Sequence, residues 1–208
     1  MLPCRDGVEL DAPLDLLNLP NGEWTGDIAF LDRDGVLNIG SEDYINQPDE
    51  LIILPGAADC VARLRQAGFR ICVVTNQSPV GRGLWSSENL RLIHERLQTI
   101  LLELNTDAIL DLILHSPWAP WDSSWARKPN PGMLEAGRQI LDAAENSTKP
   151  NLLFDDKWTN RPDESNSVMV GDREVDMIAA SRYGVRGYRC DSQVGISDVI
   201  EIILGGTA

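Results

Sequence analysis

Long apolar runs are missing from this 208-residue chain. None approaches the roughly 18–20 residues that a membrane-spanning helix needs, so no membrane partner is expected. The opening Met1-Leu2-Pro3-Cys4-Arg5-Asp6 lacks both the basic and the apolar region of a secretory leader, and a cytoplasmic location is the default. Cysteine is sparse. Cys4, Cys60, Cys72 and Cys190 are scattered with no C-x-x-C pair, which argues for free thiols over a disulfide framework or a zinc cluster. Basic residues are also in deficit, 18 Lys and Arg against 32 Asp and Glu, for a net charge of −14. Such a surface repels nucleic acid at long range, so nucleic acid is excluded as a partner. It also repels any anionic small molecule, unless a divalent cation and a few local basic groups reverse the sign where that molecule binds.

What is present is ordinary for a globular protein: 43% hydrophobic and 24% charged residues, enough for one compact domain with a real core. Short apolar runs alternate with stretches of helical period. Ile28 to Leu31, Ile71 to Val74, Ala108 to Leu114, Ser167 to Val170 and Val185 to Cys190 read as strands. Helices are expected over 56–67, 86–104, 131–144, 174–183 and 196–204; Ser86-Ser87-Glu88 supplies the cap signals of the second. This alternation predicts a Rossmann-like three-layer α/β/α fold with a mostly parallel sheet. Residues 1–26 read as an N-terminal extension and 27–208 as a single domain. Residues 145–166 are polar and aperiodic, and are expected to form a mobile surface insertion. In sheets of this kind ligands bind beyond the carboxyl ends of the strands. Polar groups cluster there: Asp32 and Asp34 after one strand, Thr75 and Asn76 after another, Asp172 after a third.

Asp32-Arg33-Asp34-Gly35 has a chemical logic. Covalent phosphoryl transfer needs a carboxylate held in line with phosphorus. A second carboxylate two residues on faces the same side of an extended backbone, where it can protonate a leaving alkoxide and then deprotonate water. Gly35 permits the sharp turn. Taken alone, D-x-D-G equally describes an acidic helix-capping turn or a calcium loop. Three further groups add to it. The Thr75 hydroxyl can bond a phosphate oxygen, although a threonine at a strand end is more often a cap. Lys128 can supply a cation, although a lone lysine is nearly always on the surface. Asp172 and Asp176 can join Asp32 around Mg²⁺, which prefers a few carboxylates plus water and phosphate oxygen; the bland alternative is an acidic helix start.

The order acidic pair, Thr, Lys, acidic pair resembles the haloacid dehalogenase superfamily over roughly residues 27–190. Leu54-Pro55-Gly56, Thr75-Asn76-Gln77-Ser78, Gly81-Arg82-Gly83, Arg127-Lys128-Pro129 and Pro131-Gly132-Met133 are similar to the branch of heptose-bisphosphate and histidinol-phosphate phosphatases. The resemblance implies Asp32 as nucleophile and Asp34 as general acid/base. It implies Thr75 and Lys128 on the transferring phosphate, and Mg²⁺ held by Asp32, the Asp34 backbone carbonyl and Asp172. Asn76, Arg82 and Arg127 would face the substrate, a small phosphate ester: a sugar bisphosphate first, histidinol phosphate second. A catalytically silent, ligand-binding homologue is the reading from another class, disfavoured because every required carboxylate is present. A monomer is expected.

The chain departs from that branch at one place. Many members carry zinc in a loop resembling Cys-x-His followed by Cys-x-Cys. Here the stretch from His115 to Ala126 has no cysteine and one histidine, so structural zinc is not expected in it. Its Trp118, Trp121 and Trp125 are expected to stiffen the loop by packing. The spans from Asn38 to Ile71 and from Ser78 to Arg127 are filled by predicted elements, which leaves no room for a large cap domain.

Overall fold

The computed structural model describes residues 1–205. Five strands, β1 (Ile28–Leu31), β2 (Arg70–Asn76), β3 (Leu112–Ser116), β4 (Val168–Gly171) and β5 (Arg186–Arg189), form one parallel sheet in the order β3-β2-β1-β4-β5. From β1 the chain builds outward through β2 and β3, then returns to build β4 and β5 on the other side. The reversal places a crevice beside the end of β1, where ligands bind in doubly wound sheets. Asp32 occupies that point, its N–H donating to the Val170 carbonyl at 2.9 Å.

Strand side chains alternate between faces, so each strand feeds two cores. Ala29, Leu31, Ile71 and Val73 pack on one face with α1 (Ala57–Gln66) and α3 (Ser87–Leu104), through Val61, Leu64, Ile93 and Leu97. Ile28, Phe30, Cys72 and Val74 pack on the other with α4 (Gly132–Glu145) and α5 (Glu174–Tyr183). Burial on both faces explains why these strands read as continuous apolar runs. Each buried aliphatic side chain contributes about 1.5–3 kcal/mol. A single turn, α2 (Ser78–Gly81), follows β2, and α6 (Ile200–Ile203) lies near the end of the described residues. Ser86 caps α3 as its sequence predicts, its Oγ accepting from the Asn89 N–H at 3.0 Å.

Several expectations are corrected. The third strand begins at Leu112, not near Ala108, and the last helix shortens to a 3₁₀ turn (Gly195–Asp198) followed by α6. Residues 145–166 lack regular period but are firmly anchored. Arg138 of α4 pairs with Glu164 through Nε–Oε1 (2.7 Å) and Nη2–Oε2 (2.6 Å), and Tyr183 Oη donates to the same carboxylate at 2.7 Å. Trp158 stacks on Tyr183 with ring centroids 6.3 Å apart. A polar composition hid a segment held by a buried bidentate pair, the Tyr183 hydroxyl, an aromatic stack and paired bonds between Gln139 and the Leu153 backbone.

The N-terminal segment covers the β3 edge and one core face. Cys4 exchanges both backbone hydrogen bonds with His115, and Leu10, Leu14, Leu16 and Trp24 pack against the second core. Buried Asp111 bridges Arg65 and Arg70, which in turn donate to the carbonyls of Asn18 (3.0 Å) and Leu17 (2.7 Å). Among the described residues no helix is long and apolar enough to cross a membrane.

Candidate active site

The ends of β1, β2 and β4 converge on a cavity of about 760 Å³. Asp32, 8% exposed, lies at its base. Lys128 reaches it from the loop before α4, with Nζ 2.9 Å from Asp32 Oδ1 and 2.6 Å from Asp176 Oδ1. The loop holds its shape because the Asn76 amide bonds both sides of the Lys128 backbone: Nδ2 donates to the Lys128 carbonyl at 3.0 Å, and Oδ1 accepts from its N–H at 3.1 Å. Asn76 lines the cavity, and its amide also places the lysine.

Burial pushes the Asp32 carboxyl up to about 7; the Lys128 ammonium opposes this, while Asp176 and Asp34 add to it. Burial would lower Lys128, yet Asp32 and Asp176 hold it above the ordinary lysine value. Asp172 is raised, chiefly by burial. One cation thus faces a group of carboxylates that it does not fully neutralise. Carboxylate oxygens of Asp32, Asp172 and Asp176 lie within 4.8 Å of one another, and Asp172 Oδ1 is buried with no hydrogen-bond partner. An all-oxygen set with an orphaned anionic oxygen suits a hard divalent cation such as Mg²⁺. Gly35 lets the β1 loop approach this group: at φ +78°, a Cβ there would lie 2.7 Å from Asp172 Oδ2.

Asp34 stands two residues on, as the spacing required, its carboxylate gripped by three neighbours while 28% exposed toward the cavity. Oδ1 accepts from Arg33 Nε (3.2 Å), Arg33 Nη2 (3.0 Å) and Asn38 Nδ2 (2.9 Å), while Oδ2 accepts from Arg33 Nη2 (2.9 Å) and Gln77 Nε2 (3.1 Å). Burial acts upward on this group, yet Arg33, Asn38 and Gln77 together hold it below the usual carboxylate value. Gln77 Nε2 also donates to Thr75 Oγ1 at 2.8 Å, fixing the hydroxyl.

Two contributors, Arg33 and Gln77, carry no signal in the motif pattern, and a third, Asp176, has a second role there. Arg33, 1% exposed, looked like the variable position of D-x-D but is the clamp on Asp34. Gln77, next to Thr75-Asn76, bridges Asp34 and the Thr75 hydroxyl. Asp176 pairs with Lys128 besides standing as a possible ligand, and its place four residues after Asp172 at a helix start is the available signal.

Arg82 and Arg127 line the mouth. Arg82 Nη1 donates to Tyr44 Oη at 2.9 Å and its guanidinium lies 6.0 Å from the Trp121 ring centroid; Arg127 Nη1 donates to the Trp118 carbonyl at 2.9 Å. Tryptophan packing holds for only part of the loop. Trp118 Nε1 donates to the Leu2 carbonyl (3.0 Å) and Trp125 Nε1 to Glu135 (2.6 Å), whereas Trp121 is 72% exposed at the cavity rim. Arg33, Arg82, Arg127, Lys128 and Arg173 border the cavity, which concentrates basic groups there while the carboxylates at its base still call for a cation. These groups supply the basic half of the condition an anionic substrate imposes, and the divalent cation would supply the rest.

A family profile of haloacid dehalogenase-like hydrolases matches residues 22–184. The chain belongs to that family. Among related proteins, the D-glycero-β-D-manno-heptose-1,7-bisphosphate 7-phosphatase of Pseudomonas aeruginosa is 42% identical over 113 residues, covering 54% of this chain and 61% of that protein. The D-glycero-D-manno-heptose-1,7-bisphosphate 7-phosphatase of Thermosynechococcus vestitus is 35% identical over 173 residues, 76% of each chain. The match thus spans about three-fifths of the first relative and three-quarters of the second. The crystal structure of the D,D-heptose 1,7-bisphosphate phosphatase from B. bronchiseptica, complexed with magnesium and phosphate, superposes with a TM-score of 0.64 at 28% identity, covering 86% of this chain and 98% of that one. Within the haloacid dehalogenase-like hydrolases, this chain is therefore similar to sugar-bisphosphate phosphatases in both sequence and fold.

Proposed function

We propose that this protein is a Mg²⁺-dependent phosphomonoester hydrolase that removes the 7-phosphate of a D-glycero-D-manno-heptose 1,7-bisphosphate through an aspartyl-phosphate. The observation that carries the reading is the placement of buried Asp32 against Lys128, at the base of an open cavity, beside an oxygen cluster built for a hard cation. Relatives of that activity support the substrate class.

In this reading an Asp32 carboxylate oxygen attacks phosphorus as the ester P–O bond breaks, and Asp34 gives its proton to the departing sugar oxygen. Water then attacks the acyl phosphate, Asp34 takes up a proton, and inorganic phosphate leaves with Asp32 restored. Resting Asp34 is ionised, which suits the second half. For the first half, the incoming phosphate dianion raises the proton affinity of Asp34, which takes a proton from solvent before passing it to the leaving oxygen. Lys128 and the Thr75 hydroxyl hold the transferring group. Asp32, Asp172 and the Asp34 carbonyl would hold Mg²⁺, which when bound offsets negative charge on the phosphoryl oxygens. Arg82 and Arg127, each with guanidinium donors to spare, would take the second phosphate in fork geometry. Among the described residues no inserted domain covers the cavity, so water has access and hydrolysis is favoured over phosphate transfer to another sugar.

The test is phosphate release from a panel holding the heptose bisphosphate and histidinol phosphate side by side, with wild type and Asp32→Asn. Turnover of the bisphosphate with Mg²⁺ is expected, and none with the variant while circular dichroism stays native. Near-wild-type turnover by the variant refutes the covalent route. Preference for histidinol phosphate refutes the substrate reading, and release from no panel member favours a binding protein.

A further inference from the structure

A second cluster of metal-binding groups lies outside that cavity. Asp6 of the N-terminal segment, His94 of α3 and His115 of β3 come together with ligand atoms all within 4.8 Å. Both rings are almost completely buried, at 2% and 3% exposure. Asp6 Oδ2 lies 2.7 Å from His94 Nδ1, but Asp6 Oδ1 is 3.4 Å from His115 Nδ1. The second distance is too long for a good hydrogen bond, and Asp6 Oδ1, His115 Nδ1 and His94 Nε2 are all buried without a hydrogen-bond partner. Two donors each about 2.0–2.1 Å from one tetrahedral metal stand roughly 3.4 Å apart.

His94 meets the Asp6 carboxylate through Nδ1, which leaves its buried Nε2 as the nitrogen without a partner, and His115 Nδ1 is buried without one as well. A fourth position is within reach. Cys4 and His115 exchange both backbone hydrogen bonds, so their side chains share one face of the pairing. A cavity of about 290 Å³ borders Cys4, Asp6 and His115, with room for a water or for the thiol to turn inward.

We propose that Asp6, His94 and His115 form a second metal site, for a borderline dication of the Zn²⁺ or Co²⁺ type, which fastens the N-terminal segment to α3 and β3. Two imidazoles and one carboxylate select such an ion over Mg²⁺, so this site and the Asp32 cluster differ in preference. The absence of thiolates that speaks against structural zinc concerns residues 115–126 alone. Positions 6 and 94 are far from that loop in sequence, and only the fold brings them to His115.

The test uses the full chain, stripped with chelator and kept in excess Mg²⁺ to occupy the Asp32 cluster, then titrated with Co²⁺ and separately with Zn²⁺. One equivalent of Co²⁺ with the intense visible absorption of a four-coordinate nitrogen-containing site is expected, together with a rise in Tm on adding Zn²⁺. Loss of an outer partner of a metal ligand already costs about 10–100-fold in affinity. Asp6→Asn and His115→Ala, which remove direct ligands, should weaken Zn²⁺ binding at least about 100-fold, whereas Asp172→Asn should keep the visible band. His115→Ala can fail by unfolding, so the decision rests on Asp6→Asn, whose side chain lies nearer the surface, with circular dichroism confirming its fold. The proposal is overturned by no equivalent beyond the Mg²⁺-protected site, by the weak band of an octahedral all-oxygen site, or by unchanged Zn²⁺ affinity in Asp6→Asn. The three residues are then a hydrogen-bonded strut.

Discussion

Replacing Lys128 with Met tests whether the buried charges at Asp32 are balanced as the distances imply. The ammonium is 2.9 Å from Asp32 and 2.6 Å from Asp176, and is 2% exposed. At an effective dielectric near 20, each attraction amounts to about 6 kcal/mol before desolvation. After desolvation, removing one partner of a buried pair costs about 3–5 kcal/mol, a large part of a typical stability of about 5–15 kcal/mol. The loss should depend on pH with a definite sign. Without the lysine, two buried carboxylates face each other and their folded-state proton affinity rises above that of the unfolded chain. A raised folded pKa stabilises while the proton is bound and ceases to do so as pH climbs through it. Asp32 already sits at about 7 with the lysine in place, so the defect should be mild near pH 5.5 and full near pH 8.5. Urea unfolding of both proteins in chelator at these two pH values reads it directly. Adding Asp176→Asn to Lys128→Met should recover stability at high pH, because a neutral amide replaces the unpaired anion. A loss below about 1 kcal/mol at pH 8.5, or one that does not change with pH, would refute the reasoning. With Mg²⁺ present, turnover by the single variant should fall about 10²–10³-fold, the usual cost of losing one charge-stabilising donor.

Other predictions concern the rim and the buried histidines. Arg82→Ala should raise KM for the bisphosphate about 10- to 100-fold, as loss of a charge-assisted hydrogen bond does, with kcat nearly unchanged. A matching fall in kcat instead would place Arg82 on the transferring phosphate. In metal-free protein, His94 and His115 are less basic folded than unfolded, so the unfolded chain binds more protons between about pH 6.5 and 4. Their contribution is complete above that window and is lost as pH falls through it. Urea midpoints measured in chelator should therefore drop across this range, and more gently in His115→Gln. Equal slopes would show that the ring is not held neutral by burial.

The family was legible in the residues themselves, because its chemistry is written in local spacing. Asp32, Thr75, Lys128 and Asp172 each stand at or just beyond an apolar run, or beside a proline-marked turn, and an alternation of strands and helices delivers such positions to one edge of a parallel sheet. That logic needs only neighbours in the chain. It fails where a side chain's role depends on what lies opposite. Arg33 looked like a spacer until Asp34 was found gripped between its guanidinium, Asn38 and Gln77. Asn76 reads as a substrate contact, and only the fold shows that its amide also braces the Lys128 backbone from a loop 52 residues away. The 145–166 segment looked loose because composition does not show that Glu164 meets Arg138. Most of all, nothing in the sequence links Asp6, His94 and His115, since no short period or motif spans such separations. The sequence by itself determined the sheet, its order of elements and the acidic edge, because local hydrophobic period and strand ends follow from covalent neighbours. Only the tertiary structure decided which charges are paired, which polar atoms are left without partners, and hence where a second cation can bind.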